Sequence, residues 1–545
     1  MRADDAVKTR WVLLFSALLF SWNLWGYDLW APDEPFFGEG AREMLSDGHW
    51  LVPHVNGEVN THKPPLFFWL IALFSLPLGE VTSVTARLPS VLAALGSVYL
   101  TVRLGRRISG PRTGALAGAM LATTHMFWDK ARWAQIDSLL CFFVLVALSA
   151  FESFRAGTGG RRAGLLFWAA AGLAVLAKGP VGVLLPLGVA LLTLALDRDL
   201  GSWRRFAPFS GPAAFVAVLA PWVVATMIWG GEYSVWGALR EHFVDRAVHG
   251  MHHAQPFWYY ATVLPYALLP WSFLVFGAFL LAWRRRREGD DRFLMTWAVF
   301  VVLFFSVSTE KRDLYVLPAV PAFALLTARL VGALAGWWPA GDGARGAVPG
   351  PRWVTVPLGI VAAILVAGGI AAPLAVRKLD DALVAPAWGL GAVLLLGGPA
   401  VAAAAASGRA LPAVYRTAGA MAVTMVAAVT FVYPPLDADK SGRELARVVR
   451  EETAASRSAG RQVLALDVRH VPKSVNFYSG GVYLEELADE GELAARLAAA
   501  DSADTYVLTN EEVLRDLPEA LRRRIEIVYS TRLSRKDVVL LRVGE

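Results

Sequence analysis

The chain has 545 residues, 56% of them hydrophobic and only 18% charged, with a mean hydropathy of +0.45. Soluble globular proteins are nearer a quarter charged, so this composition excludes a disordered chain, a coiled coil and an ordinary cytosolic enzyme, and indicates a polytopic α-helical membrane protein. The net charge of +6 lies mostly in short loops between apolar runs, where membrane topology accounts for it better than nucleic acid, and no nucleic-acid partner is expected. Cys141, the single cysteine, sits inside an apolar run, so neither an intrachain disulfide nor a cysteine-based metal site is expected.

In chain order, apolar runs fall at 11–27, 83–102, 113–128, 138–154, 164–177, 180–196, 206–229, 257–283, 293–308, 314–336, 353–376, 385–406 and 413–433. They are 13 candidate spans, several near the short end of the roughly 17–25 residues that a crossing needs. Residues 11–27 are rich in aromatics and lack a small-residue cleavage site, so they read as a retained first span. A further run, 66–79, has 14 residues and follows Pro64-Pro65, which favours a re-entrant or interfacial helix. With that run not crossing and the N-terminus cytoplasmic, the inside segments hold 22 Lys and Arg and the outside loops 11. A crossing at 66–79 would reverse the bias, so the positive-inside rule selects about 13 transmembrane helices with the tail outside.

From 434 to 545, 37 of 112 residues are charged. The organisation expected is a membrane domain at 1–433, whose outer loop at 28–82 carries juxtamembrane or re-entrant helices, and a C-terminal soluble α/β domain at 434–545. In that tail, 463–468, 505–510, 526–530 and 537–543 read as strands, and 440–457, 485–500 and 511–524 as helices.

The ionisable residues gather in the outer loops. Asp33 and Glu34 follow the first span, and a short helix is expected at 38–47, with Glu39 and Glu43 on one face. The loop WDKARWAQIDS holds Asp129, Lys130, Arg132 and Asp137, and Lys178 stands in AKGPVG between two runs. Loop 230–256 carries Arg246, His249, His252 and His253 among other polar residues, and STEKRDLY places Lys311, Arg312 and Tyr315 at the mouth of a span. Taken singly, these are solvated acids, helix caps or snorkelling lysines. Together they put carboxylates able to accept a proton, and cations able to hold a leaving phosphate, on one side of the membrane. Such a set suits a lipid-borne phosphosugar. A transporter would instead place ionisable groups near the middle of its spans, and a channel would need polar rings.

The motifs PDEPFFGEGAREML, HKPPLFFWL, ARLPSVLAAL, QIDSLL, KGPVGVLLP, QPFWYY…LPWS and FFSVSTEKRDLYVLPAVPAFALL occur in that order. They closely resemble the ArnT-like family, the lipid A 4-amino-4-deoxy-L-arabinose transferases and related bacterial GT-C glycosyltransferases, distant relatives of protein O-mannosyltransferases. The resemblance covers 11–435 and is specific for the family, not for the sugar. It implies a polyprenyl-phosphate-linked sugar donor, inverting transfer in the periplasm, and a multi-pass protein of the bacterial inner membrane with a periplasmic α/β domain. It also implies Asp33, Glu34 and Asp137 as the catalytic carboxylates, and Lys63, Lys178, Lys311, Arg312 and Tyr315 as ligands of the donor phosphate; Arg246, from the cationic loop 230–256, is expected to join these ligands. Two positions depart from the family pattern: Phe36-Phe37 follow the acidic pair in place of Arg-Tyr, and His62 precedes KPP in place of Glu. No cofactor is required by the resemblance; a Zn ion at His62 with His249, His252 or His253 is the alternative.

The expected reaction is transfer of the sugar, 4-amino-4-deoxy-L-arabinose or another, to lipid A or a similar periplasmic lipid or glycan acceptor, with membrane lipids around the site. The alternatives are transfer to protein Ser/Thr, as in protein O-mannosyltransferases, and a lipid-linked sugar flippase without transfer.

Overall fold

The computed structural model describes residues 3–60, 63–206, 208–231, 233–235, 237, 254–338, 350–377, 381–468, 471–498, 504–533 and 536–544. In chain order its helices begin with α1 (Ala3–Ser21), α2 (Asp33–Ser46), α3 (Leu66–Ser75), α4 (Ser83–Ser109), α5 (Pro111–Ala122), α6 (His125–Ala131), α7 (Ile136–Arg155), α8 (Gly160–Lys178), α9 (Val181–Leu196) and α10 (Ser210–Trp229). There follow α11 (Tyr259–Ala267), α12 (Ser272–Arg284), α13 (Gly289–Val307), α14 (Val320–Leu334), α15 (Arg352–Val376), α16 (Val384–Ala406) and α17 (Ala410–Ala427). A 3-10 turn at Asp313–Ala319 runs directly into α14.

Each of the 13 apolar runs therefore contains helix. Among the described residues, eight helical segments are long and apolar enough to cross a membrane, or nine if α11 and α12, bent by 107°, make one crossing. The remaining runs fall short for visible reasons. Helices α5 and α9 have 12 and 16 residues. Helices α1 and α13 open on charged turns, Asp4, Asp5 and Lys8 in one and Asp290, Asp291 and Arg292 in the other. Helix α3 has 10 residues. At 1.5 Å per residue that is about 15 Å, half of a hydrocarbon core about 30 Å thick.

The chain divides into two compact units. The first comprises Met1–Asn23, Thr61–Phe67 and Arg87–Val432, and is a helical bundle. Its central element is the segment Asp313–Leu334, 94% buried, whereas α10 buries only 11% of its apolar window. Phe209, Met227, Trp229, Val307 and Leu396 point outward. An apolar exterior fits lipid as solvent. Several charges inside this bundle are paired. Asp291 accepts from Arg329 at 2.8 Å and from Arg285 at 3.2 Å. Glu152 pairs with Arg107 at 3.0 Å and Arg155 at 2.5 Å, and Asp197 pairs with Arg155 at 3.0 Å and Arg292 at 2.5 Å.

The second unit comprises Leu24–Asn60, Phe68–Ala86 and Tyr433–Glu545. It contains a small hairpin of β1 (His54–Val55) and β2 (Glu58–Val59). Asn56 and Gly57 between them both have positive φ, +66° and +76°. This is the Asn-Gly signature of a tight two-residue turn. Its larger sheet uses β3 (Val463–Ala465), β4 (Leu484–Glu486), β5 (Tyr506–Asn510), β6 (Ile525–Leu533) and β7 (Lys536–Val543) in the order β4-β3-β5-β7-β6. The first three are parallel, and β7 and β6 are antiparallel additions. Helices α18 (Arg443–Glu452), α19 (Val471–Ser479), α20 (Glu490–Ala498) and α21 (Glu511–Asp516) accompany it. Two apolar clusters form, one around Val463, Val475 and Leu540, the other around Leu493, Val507 and Leu541. One expectation shifts: 484–486 is a strand, and the helix expected from 485 begins at Glu490. Three residues are too few to show strand alternation in the sequence.

Candidate active site

The KGPVG motif is a helix hairpin. Lys178 is the last residue of α8, Gly179 turns the chain at φ +80°, and α9 starts at Val181 after Pro180. A left-handed glycine just past a helix end stops it, and proline is tolerated where the next helix begins. A Cβ on Gly182 would stand 2.3 Å from the Ala174 backbone, so the second glycine lets α9 press against α8. The lysine is thereby held on a closely packed hairpin in the first unit.

Asp137 lies in the first turn of α7 and is 3% exposed. The Lys178 ammonium donates to its carboxylate and stands 4.5 Å from the centre of the Tyr315 ring. Each charge also sits at the end of its own helix that favours it, the acid at an N-terminus and the ammonium at a C-terminus. Residues from the QID, KGP and STEKRDLY motifs thus meet at one place. An ammonium so placed can lend charge to a phosphoryl oxygen, and the neighbouring carboxylate can hold or accept a proton.

The rest of STEKRDLY is pinned by main-chain bonds. The Lys311 ammonium donates to the carbonyl of Gln255 at 2.8 Å and to that of Ser308. Burial holds this ammonium below the ordinary lysine range. Gln255 N donates to the Thr309 carbonyl at 3.2 Å, and the Tyr260 hydroxyl donates to the Arg312 carbonyl at 3.1 Å. Tyr260, from QPFWYY, was not singled out in the sequence; its aromatic motif was the available signal.

Arg132 from the WDKARWAQIDS loop has a different task. It is 1% exposed and donates to the carbonyls of Phe20 at 2.7 Å and Trp22 at 2.6 Å. It therefore satisfies the open carbonyls at the end of α1. Asp129 and Lys130 pair with each other at 2.8 Å, and the Ser138 hydroxyl donates to the Lys130 carbonyl at 2.7 Å.

The acidic pair of the first loop belongs to the second unit, at the start of α2. Glu34 is fully buried and its carboxylate accepts from the Trp30 N–H at 3.0 Å, tying down the turn before the helix. Asp33 is half-buried. Further along α2, Arg42 forks onto Glu39 at 2.8 and 2.7 Å, and Glu43 accepts from the Gly57 N–H at 3.1 Å. Burial, and then the nearby Glu39 carboxylate, push Glu43 up to about 8.

Lys63 is half-buried in the first unit. Arg246, His62, His249, His252 and His253 lie outside the described residues. Among the described residues no group of three His, Cys, Asp or Glu could hold a metal ion.

Comparison with known proteins agrees with the motif resemblance. The family model for dolichyl-phosphate-mannose-protein mannosyltransferases matches residues 62–225. A Pseudomonas paraeruginosa protein named undecaprenyl phosphate-alpha-4-amino-4-deoxy-L-arabinose arabinosyl transferase is 33% identical over 302 residues. That match spans about half of each protein, 54%. Among solved structures, ArnT from Cupriavidus metallidurans in the apo state aligns with a TM-score of 0.78 at 20% identity, covering 98% of both chains. The same protein bound to undecaprenyl phosphate gives 0.76 with the same coverage. Over nearly its whole length, the chain has the GT-C fold of ArnT.

Proposed function

We propose that the protein is an inverting glycosyltransferase that moves a sugar from an undecaprenyl-phosphate donor to lipid A or a similar lipid or glycan acceptor. The observation that carries this reading is the meeting of Asp137, Lys178 and Tyr315 at the hairpin of α8 and α9. It is supported by the fold shared with ArnT and by the name of the Pseudomonas relative, which makes 4-amino-4-deoxy-L-arabinose the first sugar to try.

In this reading the acceptor oxygen attacks the anomeric carbon opposite the phosphate, and the bond from that carbon to the phosphate oxygen breaks. Lys178 and Arg312, with Lys63 and Arg246, stabilise the charge that grows on the departing polyprenyl phosphate. Lys311 acts by tying down the loop that carries Arg312 and Tyr315. Asp33 receives the acceptor proton or orients the acceptor oxygen, Asp137 fixes Lys178, and Glu34 fixes the turn before Asp33. The surrounding apolar walls limit hydrolysis of the donor. No step is routed through a metal.

The same reading has thirteen crossings of the bacterial inner membrane, with the motif loops and the soluble tail in the periplasm. It is supported by helix in every one of the apolar runs and by the 22 to 11 distribution of Lys and Arg. Cys141 is buried, so single cysteines introduced at the exposed positions Ser46 and Glu58, or at exposed positions in the tail, would report their side by maleimide labelling. Labelling at Ser46 and Glu58 only after the cytoplasm is opened would end the proposal.

The direct test is transfer from a radiolabelled undecaprenyl-phosphate sugar by purified wild type and by Asp33→Asn. Near-normal transfer by a well-folded Asp33→Asn would remove that carboxylate from the mechanism. A second reading, transfer to protein Ser/Thr, is favoured by the mannosyltransferase family match at 62–225. Mass spectrometry of lipid A and of periplasmic proteins from a deletion strain separates the two.

A further inference from the structure

The first unit contains a cavity away from the motif residues, near the opposite end of α7 from Asp137. Ser153, on its wall, is 16 residues beyond Asp137 in that helix, or about 24 Å along it. The cavity measures about 530 Å³ and lies between α1, α4, α7 and α8. Its polar lining includes Thr9, Arg103, Arg106, Arg107, Ser149 and Ser153. Most of the remaining lining is apolar, with Leu100, Val146 and Leu166 among it.

The charges in this cavity are unbalanced. Arg107 is committed, to Glu152 at 3.0 Å and to the Ser153 hydroxyl at 3.0 Å. Arg103 and Arg106 make no ion pair among the described residues, although both line the same space. The Ser149 hydroxyl, also on the wall, is buried and has no hydrogen-bond partner among the described residues. A buried hydroxyl without a partner is costly and indicates a group that completes it. A neighbouring cavity of about 400 Å³ provides the contrast. There Arg155 is held by Glu152 and Asp197, and Arg205 by the Ser202 hydroxyl at 2.5 Å.

Guanidinium forks beside a buried hydroxyl recognise a phosphate, and apolar walls running into the bilayer recognise an acyl chain. A soluble anion would have no use for those walls. We infer that this cavity binds an anionic phospholipid of the leaflet at this end of the bundle, with its phosphate on Arg103, Arg106 and Ser149 and an acyl chain along Leu100, Val146 and Leu166. The lipid would brace α1 against α4 and α7, far from the reacting atoms.

The test is native mass spectrometry of the delipidated protein in mild detergent, titrated with cardiolipin, phosphatidylcholine, undecaprenyl phosphate and inorganic phosphate. Cardiolipin is expected to remain bound at least about tenfold more tightly than phosphatidylcholine, and inorganic phosphate at millimolar concentration is expected not to displace it. Each arginine removed, as in Arg103→Gln and Arg106→Gln, should weaken cardiolipin by about fivefold, and the double variant by about 25-fold. Arg112→Gln, outside the cavity, should leave it unchanged. The wild-type titration decides even if the double variant does not fold. Equal retention of phosphatidylcholine, displacement by inorganic phosphate, or preference for undecaprenyl phosphate over cardiolipin would each overturn the proposal.

Discussion

Helix α7 carries an acid near each end, and the two have opposite surroundings. At its start Asp137 meets the ammonium of Lys178, which lies over the ring of Tyr315. Near its end Glu152 is gripped by two guanidiniums, and the second of these continues to Asp197 and Arg292. Arginine forks make several directed bonds at once and suit a lattice that ties helices together. A lysine is a compact charge on a flexible stem and can redirect its donors when a phosphate arrives. On the proposed reading, the difference teaches that among buried ions the type and number of cations separate a brace from a reactive site.

The comparison is broken most severely by removing a brace. Asp291→Ala leaves Arg285 and Arg329 without the carboxylate they share, and should destabilise by about 3–5 kcal/mol. Yield and apparent melting temperature in detergent should fall, with transfer per folded molecule nearly preserved. A large loss of specific activity at unchanged melting temperature would erase the distinction. Lys178→Met is the reverse experiment. Transfer should fall about 10²- to 10³-fold, while the melting curve moves much less than for Asp291→Ala. Retained transfer would reassign Lys178 to packing.

Two smaller effects sharpen the picture. Arg132→Met removes the bonds to the end of α1 and should cost about 1.5–3 kcal/mol, read as a lower melting temperature with the donor KM unchanged. Glu43→Gln tests the second unit. Glu43 keeps its proton in the folded chain up to about 8, against an ordinary value of 4.5. The stability linked to that proton is complete below about pH 4.5 and is lost as pH rises toward 8. Wild type and Glu43→Gln should therefore melt together at acid pH. The variant should be higher by about 2–4 °C at alkaline pH. A gap that closes with rising pH would contradict the assignment.

Much of this was legible in the sequence because it is local. Gly179 and Pro180 announce a helix end and a helix start, and the alternation of charged and apolar stretches marks each run that became helix. The Asn56-Gly57 turn was equally local and was passed over among the acids around it. What could not be read depends on distant partners. Arg132 looks like a cation of an outer loop until the carbonyls of residues 20 and 22 appear beside it. Lys311 is a phosphate ligand by resemblance; that its ammonium also donates to the carbonyl of Gln255, across 56 positions of sequence, could not be read from the motif. Glu34 is an acid of the DE motif by sequence, yet its carboxylate is engaged by the main chain at Trp30.

The tight seat of Gly182 against α8 bears on how a transferase of the proposed kind could be retuned. A bracket this close has no slack, so on that reading its lysine would present its charge from the same place to every incoming carrier lipid. It would sense the portion common to all donors. Attempts to exchange one saccharide for another should therefore leave the bracket alone and redesign the loops that touch hydroxyl or amino substituents.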